Sequence, residues 1–382
     1  MPNDLTAIIP KVLARALIPL RERVVMPRLV NSDFSRDAAK KGATIDVPVP
    51  GEKTATDVTP SNTPPTPGDT VTSTVKIVLD QWKHSDFFLT DDDMQKIDAN
   101  ANFVPMEMQS SIDAIANAVN DHIFSQYKGI YGFTGAVGTT LFETKPDDAT
   151  ILRKVLSQQK APTSNRRGVV DLSVEAAMTA LPAFADASAS TDRNVVIEGE
   201  IGRKYGFDWF ADDKVPTHTA GSVTGAVTVT GANAIGATSI GITTPAGGAT
   251  AIVVGDIITF AGDAQTYVAT AALTLAASAS GNLLISPALK SATVGGEAVS
   301  VKATHVVNLG FHRNAFAFAS RPLVQSTFDS RLGGVMVSAV DPVTGLTLRL
   351  EVARQYKQTV WDLDILFGSK LVRPELAARL SV

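Results

Sequence analysis

The chain has 382 residues, no cysteine, and a formal net charge of -4 with a pI near 5.8. That length is enough for two or three domains of about 100–200 residues each around a sizeable core. The absence of cysteine excludes a disulfide framework, a thiolate metal site and a cysteine nucleophile, and the mild acidity argues against a surface that grips nucleic acid through clustered Lys and Arg.

The opening MPNDLTAIIPKVLARALIPLRERVVMPRLV is apolar, but Asp4, Lys11 and Arg15 interrupt it, Pro10 and Pro19 break it, and no small-residue cleavage site follows. Neither a signal peptide nor a membrane span of about 18 apolar residues is indicated, so a soluble cytoplasmic product is expected. Ile8, Ile9, Val12, Leu13, Ala16, Leu17 and Leu20 recur at helical spacing and predict an amphipathic arm that Pro19 kinks or ends. From Gly42 the period becomes two: Ile45, Val47 and Val49, then Val71, Val75, Ile77 and Leu79, predict the two strands of one hairpin. Between them GEKTATDVTPSNTPPTPGD, residues 51–69, is rich in Pro, Thr and charge and offers almost nothing to bury, which predicts a long projecting loop.

After Pro105 the apolar residues Met108, Ile112, Ile115, Ala116, Val119, Ile123 and Tyr127 fall three or four apart, predicting a long helix that serves as a packing spine. Asp148 is expected to cap a third helix carrying Ile151, Leu152, Val155 and Leu156. Ser173 is expected to cap a fourth, ending at Leu181 before Pro182. The strand-like VVDL between them indicates an α+β core. After Pro216 the composition changes sharply: up to about Thr304 the charged residues are Asp256, Asp263, Lys290, Glu297 and Lys302, amid Gly, Ala, Thr, Ser and Val. Alternating segments such as AVTVT, TSIGIT, DIITFAG, QTYVAT, LLISP and AVSVKA between Gly-rich turns predict an inserted small antiparallel barrel or sandwich, with Phe260 and Tyr267 as its aromatic bulk. Ordinary composition then returns. The turn Asp341-Pro342-Val343-Thr344-Gly345 separates strands that alternate through Leu346, Leu348, Leu350 and Val352 and through Trp361, Leu363, Ile365 and Phe367, completing the first domain.

A search for chemistry finds little. The histidines His84, His122, His218, His305 and His312 stand singly, without metal-ligand spacing. His122 is expected at the edge of its helix's apolar stripe, and His312 to hydrogen-bond within a strand-to-helix connection. Asp91-Asp92-Asp93 has a metal reading, but it directly precedes a helical-looking segment, where capping is the favoured one. GFTGAVG at 132–138 lacks the P-loop lysine and the dinucleotide spacing, and no GxSxG elbow occurs. Paired carboxylates for glycoside chemistry stay open, because their separation is not readable. No catalytic, cofactor-binding or metal residue is assigned, and no cofactor is expected.

The order of arm, strand–loop–strand and spine helix resembles the start of tailed-phage major capsid proteins. VIEGEIGRKYGFDWFADDKVP at 196–216 looks like that family's segment leading from the axial domain. HVVNLGFHRNAFAFASRPL at 305–323 looks like its return, and DPVTGLTLRLEVARQYKQTVWDLDILFGSKLVRPELAARL at 341–380 is similar to its closing strands. The insert lies between the first two, where coat proteins of short-tailed enteric phages carry an inserted β-barrel, and GDIITFAG at 255–262 resembles a strand-turn of it. This insert is smaller and poorer in charge than that subgroup's.

The resemblance implies an α+β tailed-phage capsid fold divided as follows: an N-terminal arm, 1–42; strand, extended loop and strand, 43–80; a peripheral domain, 81–149 with 335–382; an axial domain, 150–216 with 305–334; and an inserted β domain, 217–304. It implies a non-enzymatic shell subunit that associates with itself in hexamers and pentamers, with a scaffolding protein and a portal protein. The shell encloses double-stranded DNA without sequence-specific binding, has no membrane partner, and is assembled in the host bacterial cytoplasm into a virion. A separate scaffold is expected because the arm begins within ten residues of Met1. Arg23 and Arg28 in the arm and Glu52, Lys53 and Asp57 in the loop are the candidate intersubunit contacts, against ordinary solvated charge worth under about 1 kcal/mol each. Some family members crosslink Lys to Asn. Lys53 sits in the right kind of loop, but no motif identifies a partner. Two rival readings are a secreted or surface β-rich adhesion or fibre protein, from the Gly/Thr/Ala-rich stretch, and an enzyme with an inserted lid domain, from the unplaced carboxylates.

Overall fold

The computed structural model describes residue 13 and residues 24–33, 44–50, 55, 57–58, 60–62, 72–92, 106–185, 201–321, 335–341 and 344–381. The period-two segments form the expected hairpin: Thr44–Pro50 runs antiparallel to Thr72–Val78, with Val47 opposite Val75 and Ile45 opposite Ile77. Its apolar face, Ile45, Val47, Ile77 and Leu79, packs on Ala317, Ala319, Leu366 and Val372. The register puts Pro48 opposite Thr74 and Pro50 opposite Thr72. Proline has no N–H to donate, so the mutually bonded pairs are the odd-numbered ones, and Pro48 and Pro50 face the outer edge of the first strand.

Below the hairpin lies a five-stranded sheet. Phe316–Arg321, Gln358–Leu371, Thr347–Gln355 and Val335–Val340 follow in order, and Gln81–Thr90 also pairs with Gln358–Leu371. The spine helix is Met106–Ser125, and it packs across Gln81–Thr90 and Gln358–Leu371. Its stripe Met108, Ile112, Ile115, Ala116, Val119 and Ile123 is buried, as the 3.6-residue period requires. A second sheet orders Gly132–Thr134, Ala377–Ser381, His305–His312, Arg166–Val170, Phe207–Ala211 and Arg203–Lys204, with Thr217–His218 also on His305–His312. The helix Asp147–Gln158 lies against it so closely that a Cβ on Gly310 would come within 2.5 Å of Leu152.

The division into peripheral and axial domains is not followed strand by strand. Phe316–Arg321, expected in the axial domain, pairs with Gln358–Leu371; Ala377–Ser381, expected in the peripheral domain, pairs with His305–His312. Both crossings pass through short 3-10 turns, Arg313–Ala315 and Pro374–Leu376, tied together because Val372 and Arg373 N–H both donate to the Ala315 carbonyl at 2.9 and 3.1 Å. One continuous apolar cluster, from Met108 and Ile115 through Leu363 to Leu309 and Leu380, fills both sheets, and that shared burial is why the chain crosses freely between them.

Two expected caps move. Asp148 sits inside the first turn of its helix and accepts from the Phe142 N–H at 2.8 Å, while Pro146 holds the N-cap position. The fourth helix is Leu172–Ala180, and its cap is Asp171, whose carboxylate accepts from the Ser173 N–H at 3.1 Å. Asp171 is the last extended residue before the helix, which is the geometry that side-chain capping needs. The Asp91 carboxylate takes the Arg354 guanidinium as a fork, so it binds the Thr347–Gln355 strand; Asp93 lies outside the described residues.

Residues 222–301 fold as two further sheets. One orders Thr228–Val229, Ser239–Thr243, Ser280–Ser286, Tyr267–Ala269, Ile257–Phe260 and Val299–Val301; the other orders Leu273–Leu275, Ala249–Ile252 and Ser222–Thr224. They enclose a separate apolar cluster that includes Ile240, Ile242, Ile258, Leu283 and Ile285, with the Phe260 and Tyr267 rings 5.4 Å apart. Two of the scarce charges serve this unit internally: Asp263 accepts from the Tyr267 hydroxyl at 2.6 Å, and Glu297 accepts from the Val294 and Gly295 N–H groups.

Candidate functional site

Of the five candidate contact residues, Arg28 and Asp57 fall among the described residues. Arg23, Glu52 and Lys53 lie outside the described residues. Asp57 is exposed beside Val58, which is 91% exposed, and every described residue of the loop is exposed. Arg28 is exposed on the short helix Met26–Leu29, and its carbonyl accepts from Arg167 Nη1 at 2.9 Å. That helix is anchored from within. The Met26 N–H donates to Asn120 Oδ1 on the spine, and Asn120 Nδ2 donates to Asp212, both at 3.3 Å. Burial pushes the Asp212 carboxyl up to about 6, with the Lys214 N–H opposing and the neighbouring Asp213 and Asp121 adding to the rise. The arm continues onto the first sheet, where Asn31 N–H donates to Phe316 and Phe318 N–H donates back to Asn31.

The most elaborate polar site lies at the root of the 222–301 unit. His218 and His305, separated by 87 positions and each unremarkable alone, are directly paired across the strands Thr217–His218 and His305–His312, with ring centroids 5.4 Å apart. His218 Nε2 is 2.8 Å from Asp256 Oδ1, and the Tyr127 hydroxyl is 3.0 Å from His218 Nδ1. A carboxylate only accepts, so Nε2 carries the proton of the bond to Asp256. Asp256, fully buried, accepts also from the Gly221 and Val253 N–H groups. Arg379, fully buried as well, donates to the carbonyls of Gly255 and Tyr127, each at 2.9 Å, and lies over the Tyr127 ring at 5.0 Å.

Burial pushes the Arg379 guanidinium down to about 9, against the pull of Tyr127 and Asp256, so it is still a cation at neutral pH. Burial raises the Tyr127 phenol and lowers the His305 imidazole. This arrangement can join two parts of a chain. No group of three or more His, Asp or Glu side chains positioned to hold a metal occurs among the described residues, and none of their helices is long and apolar enough to cross a membrane. His312 caps the Arg313–Ala315 turn by accepting from the Asn314 N–H at 3.2 Å, and His122 lies edge-on to Phe367.

No protein-family model matches the sequence, nor does any curated protein. Solved structures do. A chain of the structure titled Mycobacterium phage Che8 superposes with a TM-score of 0.50 at 14% identity, over 94% of this chain and 90% of that one. A chain of the capsid structure of cyanophage P-SCSP1u superposes with a TM-score of 0.50 at 13% identity, over 94% and 88%. This is the fold of a phage capsid protein. The junction of His218, Asp256, Tyr127, His305 and Arg379 roots the β unit of residues 222–301.

Proposed function

We propose that this chain is the major capsid protein of a tailed bacteriophage, a non-enzymatic subunit that assembles through hexamers and pentamers into an icosahedral shell around double-stranded DNA. The observation that carries this reading is the correspondence to a cyanophage capsid chain over 94% of this chain and 88% of that one, which leaves little of either unmatched. The net charge of -4 supports a shell that encloses DNA without gripping it. The separate core of residues 222–301 supports an insertion domain spanning 217–304, as in coat proteins of short-tailed enteric phages. A scaffolding protein and a portal are the remaining partners in this reading, and the assembled virion shell, formed in bacterial cytoplasm, is its location. Arg23, Arg28, Glu52, Lys53 and Asp57 are its intersubunit contacts.

The test is cryo-electron microscopy of particles formed when the chain is co-expressed with the adjacent scaffolding gene. Closed shells or capsomer rings are expected. Elongated fibres, or a monodisperse monomer under all conditions, would overturn the proposal. Charge reversal at Lys53 and Asp57 together should lower shell yield while leaving the subunit soluble, and unchanged yield would remove those two from the contact set.

A further inference from the structure

Residues 217–304 leave and rejoin the body through one short antiparallel pair, Thr217 opposite Val306 and His218 opposite His305. Their remaining attachment is small. Tyr131, Ile257 and Val268 form an apolar patch with Phe133, the Thr266 hydroxyl donates to the Tyr131 carbonyl at 2.7 Å, and the rest is the polar junction. The unit's own apolar cluster shares no residue with the main cluster of the body, so that core does not run through the junction.

We propose that this junction is a pH-sensitive latch: it fixes the orientation of the 222–301 unit at neutral pH and releases the unit, still folded, when the buried His305 ring takes up a proton. With His305 neutral, Asp256 stands against Arg379, and His305 Nδ1 donates to the Ala303 carbonyl at 2.7 Å. A proton on His305 would enter at Nε2, a buried atom with no hydrogen-bond partner, and would create a cation close to Arg379, whose Nε is likewise buried and unpartnered.

The groups facing the two rings come from every element packed around them. The turn Gln126–Gly129 brings Tyr127, and Lys128, whose Cγ would be 3.1 Å from a Cβ on Gly255. The loop before Ile257–Phe260 brings Asp256, and Ala377–Ser381 brings Arg379. Lys302, just after Val299–Val301, holds its Nζ 5.7 Å from the Phe133 ring, which stands edge-on to His305 at 5.3 Å. Asp256 is thus the single facing carboxylate against Arg379 and the two lysines. A proton added at His305 Nε2 places a second buried cation beside Arg379 with no acceptor for its new N–H.

The experiment is hydrogen exchange on the full chain at about pH 7.5 and about pH 5, corrected for intrinsic rates. Peptides covering 217–222 and 253–257, whose amides bond Asp256, should lose protection by roughly tenfold or more at the lower pH. Peptides covering 283–286 in the unit and 166–170 in the body should keep theirs. In His218→Gln/His305→Gln the step should shrink to under about twofold. Should that double variant not fold, His305→Gln alone must still reduce the step. Overturning results are a junction whose protection does not change with pH, loss of protection in all four regions together, or a wild-type step in the variants.

Discussion

Gly368→Ala tests how the hairpin is seated. Gly368 lies in Gln358–Leu371 opposite Ala319, and a Cβ there would sit 2.1 Å from the Val78 carbonyl oxygen and 2.9 Å from its carbon. An ordinary contact needs more than about 3 Å, and both obstacles are backbone, so no rotamer change relieves the clash. The second hairpin strand must lift by about 1 Å where it meets the sheet, an overpacking cost expected near the top of the usual range of about 1–3 kcal/mol. Complete detachment would expose Ile45, Val47, Ile77 and Leu79 at about 1.5–3 kcal/mol each, a larger loss, so the hairpin should shift and stay docked. Urea denaturation followed by hydrogen exchange over 73–79 reads both quantities. A variant within about 0.5 kcal/mol of wild type with unchanged protection would refute the tight seat.

Arg349→Met removes the forked partner of Asp364, whose remaining side-chain bond is from Trp82 Nε1 at 2.9 Å. Leaving that carboxylate buried and half-satisfied should cost about 3–5 kcal/mol in a denaturant titration, and Arg349→Met with Asp364→Leu should recover most of it. Asp171→Ala should cost about 1 kcal/mol and Ser173→Ala close to nothing, measured as shifts in unfolding midpoint; the reverse ranking would return the cap to Ser173. Burial lowers His122, His305 and His312 alike, so the unfolded chain binds protons that the native one refuses: their stabilisation is complete above about pH 6.5 and is lost as pH falls through their lower native values. Asp212, pushed up to about 6, acts oppositely, holding a proton between about pH 4 and 6 that the unfolded chain has released. The urea midpoint should therefore fall between about pH 7 and 6 and then flatten, and a midpoint constant across that first interval would contradict the histidine assignments.

What the sequence made legible follows from the range of each signal. The hairpin register, the spine stripe and the closing strands are local periodicities, and Ile45, Val47, Ile115, Leu348 and Leu350 are buried as those periods demand. The His312 hydrogen bond was legible too, because its partner is two residues away. The junction was not: His218, Asp256 and His305 are joined by strand pairing across the whole 217–304 segment, and Arg379 reads as an ordinary charge in a C-terminal strand until burial is known. The crossing of strands between sheets was hidden for a similar reason. Alternation in Phe316–Arg321 and Ala377–Ser381 says that each is a strand but not which neighbour it joins. The misplaced caps differ by two residues, a distance within which Asp and Ser are equally good formers and only the backbone conformation decides.

Pro48 and Pro50 make the hairpin one-sided. The outer edge of Thr44–Pro50 offers amide donors at Thr44 and Asp46 only, whereas Thr72, Thr74, Lys76 and Val78 all direct theirs to the other edge. A ribbon with one receptive margin can gain a single further strand, or meet its own kind margin to margin and stop at four. Repeated stacking in one direction is disfavoured, because each new copy would have to dock on a margin with donors at Thr44 and Asp46 alone. The ribbon thus carries a built-in limiter: its proline margin lacks two of the four hydrogens that a further strand would use, and open-ended fibre growth through it is disfavoured by that loss.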